Sequence, residues 1–286
     1  MLNRKFVVSG CFAATLGLLA GPALANGGSG TCGSLPGWSA LKSALTSAIT
    51  PTNGGLGNNM WGTIVDNSGI VCAVAYSGSS FTAQWLGSRA IAAQKANTGN
   101  AFSLGKNSTP GSGLFPQGLA LSTANLFSAV QPGGSLFGLQ ASNPVDTAVT
   151  YGNQLSVGPI DPPPVSGSAF GTPQDPLVGQ RVGGVNVFGG GLGLYSNGVR
   201  VGGLGVSGDT SCTDHMVAWR TRHALNLDSL AGVAGVSGDS AHPDNIVFDI
   251  TPNPYGGVGI SAGGFGHPTC LNNPTPAAVA GLPAVR

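Results

Sequence analysis

Asp209, Thr210, Asp214, His215, Trp219, Arg220 and Arg222 crowd into one short stretch that follows a glycine run, in the segment GGLGVSGDTSCTDHMVAW and just beyond it. Asp209 or Thr210 can cap a helix that begins here, and the free amides of its first turn would face an anion. His215 and Trp219 stand four apart and share a helix face. His215 and His223 are eight apart, about 12 Å along the axis, so they cannot chelate one ion. His215 alone could offer a nitrogen to the metal of an iron porphyrin, with Trp219 as ring contact and Arg220 or Arg222 as carboxylate partners. The same corner could instead act on a small organic acid, with Asp209, Asp214 and His215 as acid/base groups. A hydrogen-bonded core histidine is the competing reading at each position.

Two motifs overlap this region by spelling only. Gly203-Leu-Gly-Val-Ser-Gly208 matches the dinucleotide fingerprint, but that fingerprint needs parallel βαβ units, and an Asn-Gly hairpin precedes it here. Gly259-Ile-Ser-Ala-Gly263 matches a hydrolase elbow, yet no Asp follows Ser261 in the chain. Glutamate is absent throughout, which excludes HExxH metalloproteases and Glu-based acid/base pairs.

The elements that must position these residues follow from periodicity. Leu35–Ile49 has Trp38, Leu41, Leu45 and Ile49 on one helical face. Trp61–Asp66 and Ile70–Tyr76 flank Asn67-Ser68-Gly69, a hairpin signal. Residues 82–97 read as an amphipathic helix with Trp85, Ile91 and Ala92 inward, and Leu119–Val130 as a further helix. Val185–Tyr195 and Val199–Ser207 flank Ser196-Asn197-Gly198, and Asn-Gly is the strongest short hairpin turn. Glycines leave one face of these strands nearly bare, open to a flat ligand or to a packed helix. A helix over Thr210–Asn226, a strand at Asn245–Ile250 and a loose end past Cys270 complete the order. The expected fold is α+β: a single mainly antiparallel sheet with helices packed on it.

Residues 1–25 have the basic start, apolar run and Ala23-Leu24-Ala25 site of a signal peptide, so a periplasmic or secreted protein is expected. Residues 26–286 then form one domain, with an inserted loop region at about 131–183. The remaining nine Lys/Arg and ten Asp give no basic cluster, so neither a nucleic-acid nor a membrane partner is expected. Cys32, Cys72, Cys212 and Cys270 are an even set suited to two disulfides. Three pairings are open; Cys32–Cys72 with Cys212–Cys270 is favoured because it pins each end of the chain to a core element.

VDNSGIVCAVAYSG, the helix with SRAIAAQKA, and GGVNVFGGGLGLYSNGVRVGGLGVSGDTSCTDH together resemble the GlcG/HbpS family of haem-binding-type domains. The resemblance spans roughly 35–130 and 184–226. It implies an α+β fold, a tendency to form homo-oligomers, and haem as cofactor; on the reading of the helix residues above, His215 would be the metal ligand. The expectation is an exported haem- or tetrapyrrole-binding protein; the alternatives are a periplasmic factor acting on a small organic acid and an oligomerising protein with no small ligand.

Overall fold

The computed structural model describes residues 31–106, 108, 113–152, 166–272, 279 and 281–286. The expected leader at 1–25 and residues 153–165 of the expected insertion lie outside them.

The first helix, α1 (Trp38–Ala48), buries Leu41 and Leu45 of the predicted face together with Ala44 and Ala48, while Trp38 and Ile49 are half-buried. The hairpin β1 (Trp61–Asp66) and β2 (Val71–Tyr76) is antiparallel. Its turn is held by the Asp66 carboxylate, which accepts from Ser68 N, Ser68 Oγ and Ile70 N. Helix α2 (Ser88–Ala101) starts later than the periodicity suggests. Gln84 ties the preceding turn by donating to Ser80 O and accepting from Gly78 N, so Trp85 falls outside the helix and is exposed.

Leu119–Val130 is not one helix. It divides into β3 (Leu119–Ala120) and one turn of helix, α3 (Leu126–Ala129). Asn125 Oδ1 accepts from Ser122 N and Oγ, which fixes the bend between them. Helix α4 (Thr147–Tyr151) is capped by Asp146. The glycine-rich hairpin follows as β4 (Gly191–Ser196) and β5 (Val199–Ser207), joined by Asn197 and Gly198, both at positive φ as this turn requires. Helix α5 (Ser211–Ala224) is capped by Thr210, whose side chain accepts from Thr213 N.

Three two-residue strands close the chain: β6 (Ala234–Gly235), parallel to β3, and the pair β7 (Ile250–Thr251) and β8 (Ile260–Ser261). Asn245–Phe248 is not strand. Asn245 and Ile246 are instead spent on the side chain of His215 and on Val279.

The main sheet runs β2-β1-β5-β4, antiparallel throughout, so the fold is α+β as expected. Helix α2 covers one face; α1 and α5 cover the other. Alternation assigns the side chains: Leu204 and Val206 join Leu41, Leu45, Met216 and Val217 under α1 and α5, while Trp61 and Val65 join Ala92 and Ala96 under α2.

The bare glycine face is where α2 lies. A methyl group on Gly205 would overlap the carbonyl oxygen of Ala92, and one on Gly203 that of Ala96. The glycines admit a helix backbone at close range.

Residues 166–182 thicken the α2 side. Leu177 and Val182 are fully buried beside Trp61 and Val71. Asp175 is ion-paired with Arg89 through two hydrogen bonds and also accepts from Gly171 N and Leu177 N. The end of the chain is not loose: Leu282 is buried, and Pro283 O accepts from Trp219 Nε1. Two disulfides form, Cys32–Cys72 and Cys212–Cys270. No helix among the described residues is long and apolar enough to cross a membrane.

Candidate functional site

The corner between β5 and α5 exposes less anion-binding backbone than its sequence suggests, because the chain supplies the anions itself. The Asp209 carboxylate accepts from Leu56 N at 2.9 Å, Asn58 N at 3.0 Å and Thr210 N at 2.6 Å. Asp214 turns back so that Oδ1 takes Gly208 N and Asp209 N, while Oδ2 meets Lys95 Nζ at 2.7 Å. Thr210 caps the first turn. Burial pushes Lys95 down and Asp214 up from their ordinary ranges, and their mutual attraction opposes both shifts.

His215 is fully buried. Its Nε2 accepts from Ile246 N at 3.2 Å and lies 3.1 Å from Asn245 Oδ1, and Nδ1 has no partner. Burial lowers its pKa to about 4, so the ring is neutral at physiological pH. Trp219 lies 6.0 Å from it, centroid to centroid, and 5.7 Å from His242. Arg222 is also buried, paired with Asp244 at 2.6 and 2.8 Å and stacked on Trp219. The structure therefore brings His215, Trp219 and Arg222 together, but inside the core, against the 242–246 segment. A haem does not fit there: His215 has no exposed surface, and the glycine face that would receive the ring holds α2. The other histidines are engaged too. His223 bonds Asp228, and His242 bonds Asp239 and Leu282 O.

Arg220 faces the other way. Thr213, Val217 and Arg220 follow one another at helical spacing along the face of α5 that meets the 51–58 loop. Arg220 is half-buried and donates from Nε to Asn53 Oδ1 at 3.1 Å. Beside it a cleft of about 540 Å³ opens between α5 and the 51–58 loop. Ile49, Leu56, Met60 and Val217 give it apolar walls, and Asn53, Asn58, Asp209 and Thr213 its polar points. Of the predicted site residues, Asp209 lines this cleft, Arg220 bonds its lining residue Asn53, and Thr210 caps α5.

Sequence reasoning missed one pair at the corner. Ser211 Oγ donates to His267 Nε2 at 2.7 Å and accepts from Gly189 N at 2.7 Å. His267 Nδ1 donates to Pro268 O at 2.6 Å, which leaves the lone pair on Nε2. Burial lowers the pKa of His267 to about 4. A signal existed: Ser211 adjoins Cys212 and His267 lies three before Cys270, so the favoured disulfide already implied that they meet. Ser261, by contrast, is tied to Asp249 Oδ1 and Gly266 N within its own loop.

No protein-family model matches the chain. No curated protein matches it either. Among solved structures, it is similar to the Klebsiella pneumoniae protein ORFY, of the family DUF336, at 21% identity and TM-score 0.40, over 66% of this chain and 90% of that one. It is likewise similar to the PduOC:heme complex, at 21% identity and TM-score 0.40, over 67% of this chain and 93% of the other.

Proposed function

We propose that the protein, exported after loss of residues 1–25, binds a small molecule bearing a carboxylate in the cleft between α5 and the 51–58 loop. The observation that carries this reading is Arg220, which is bonded to Asn53 in the wall of that cleft. It is half-buried, and beyond its bond from Nε to Asn53 its guanidinium has no other hydrogen-bond partner among the described residues. Such a fork is suited to a carboxylate. The cleft's lining mixes apolar and polar side chains.

The resemblance to the GlcG/HbpS family gives a tetrapyrrole as one candidate ligand. Its propionates, rather than its iron, would then meet the protein, since both ring nitrogens of His215 lie buried in the core. Small organic acids share the same recognition chemistry. Thermal-shift and absorbance titrations with hemin, metal-free porphyrin and a panel of small carboxylic acids separate the two sources. The expected result is saturable stabilisation by one class, with affinity at least tenfold weaker in Arg220→Ala and unchanged in His215→Asn. A chain that no carboxylate stabilises, or an Arg220→Ala variant that binds as well as the parent, defeats the proposal.

A further inference from the structure

Beside the Ser211–His267 pair, at the start of α5, lie the sulfurs of Cys212 and Cys270. These two sulfurs and a ring nitrogen of His267 all sit within 4.8 Å of one another. We infer that this cluster is a redox-gated metal site: a disulfide staple when oxidised, and a two-thiolate, one-imidazole site for a zinc-class divalent cation when reduced.

The chemistry of the three donors suits such an ion, which takes cysteine sulfur and neutral histidine nitrogen in a tetrahedron. His267 is neutral, and its Nδ1–H rests on the Pro268 carbonyl, the kind of hydrogen bond that orients a ligating imidazole. Cys212 N donates to Cys270 Sγ at 3.1 Å, so the first turn of α5 already directs an amide at the sulfur that would carry charge. Zinc–sulfur bonds of about 2.3 Å at a tetrahedral angle hold two sulfurs roughly 3.8 Å apart. With the two Cα atoms 6.0 Å apart, side-chain rotation alone can supply that separation. Ser211 Oγ, 2.7 Å from His267 Nε2, or a water would fill the fourth position. Cys212 is fully buried and Cys270 half-buried, so a reductant approaches from the Cys270 side.

The reaction balances as two steps. A small dithiol transfers two electrons and two protons to the Cys212–Cys270 bond, giving two thiols and the oxidised, cyclic form of the dithiol. One divalent cation then displaces the two thiol protons and accepts the His267 lone pair.

Cobalt(II) is the probe, because thiolate coordination gives it a charge-transfer absorption. The full chain carrying Cys11→Ser is reduced with a dithiol, desalted anaerobically and titrated with cobalt. The oxidised protein should show no thiolate band, and the reduced protein one cobalt per chain with that band. C212S and C270S should each lose it, H267A should weaken binding at least tenfold, and the C32S/C72S double variant should keep it. Absence of the band in the reduced chain overturns the inference. So does a band that survives C270S or depends on Cys32 and Cys72. Loss of near-ultraviolet circular dichroism on reduction that cobalt does not restore overturns it as well.

Discussion

His267 shows what a buried neutral imidazole does to stability. Its pKa falls from near 6.5 in the unfolded chain to about 4 in the folded one, chiefly by burial. The unfolded state therefore binds the proton first as pH drops, and stability drains away between pH 6.5 and 4. A shift of this size corresponds to roughly 3 kcal/mol at the acid end of the window. Asp214, raised to about 6 by burial, works in the opposite sense across part of this range, and His215 in the same sense. A difference measurement isolates one group. His267→Gln should be less stable than the parent at pH 7, where it loses the bond to Ser211, and should gain on the parent by about 3 kcal/mol as pH falls to 4. Urea denaturation at a series of pH values reads this directly; a stability gap independent of pH would contradict it.

Among the elements, the contact of α2 with the glycine strands decides between a ligand slot and a packed layer. Ala92, Ala96 and Gly99 stand on one face of α2, and a methyl on Gly99 would collide with the backbone of Leu192 in β4. Gly205→Ala should therefore cost about 3 kcal/mol or more, since neither backbone can yield without lifting the helix. Gly37→Ala, with open space around it and no positive φ, should lie within about 0.5 kcal/mol of the parent. Thermal melting of the two variants is the check, and near-equal melting points would refute the packing argument. This contact also marks how far the sequence could be read. The hairpin turns and α1 were legible because local period and turn residues determine them, but β4 begins at Gly191 rather than at the expected Val185. The bareness of the strands was visible too. What fills it was not, because the partner helix lies about a hundred residues earlier, and glycine is equally suited to a porphyrin and to an alanine backbone. Leu119–Val130 and Asn245–Ile250 misled for a related reason. Leu119 pairs with Ala234 and Asn245 answers His215, so distant partners overrode local period.

At the scale of the molecule, the residues named for chemistry divide between two sides of α5. His215, Trp219 and Arg222 knit the helix to the chain's last segment, whereas Asp209 and Arg220 attend the cleft. A sequence shows which residues share a helix but not which side faces solvent when most positions of that helix are buried. Lys95 carries a further consequence. It reaches from α2, on one face of the sheet, past Val206 O to Asp214 of α5 on the other. Separating the two faces would strand a bare ammonium and a bare carboxylate out of water, so neither layer can peel away alone. Amide protons of α2 and α5 should accordingly exchange with deuterium through one shared opening event, at matched rates across their central turns. Asp214→Asn should uncouple those rates and leave α2 to breathe by itself.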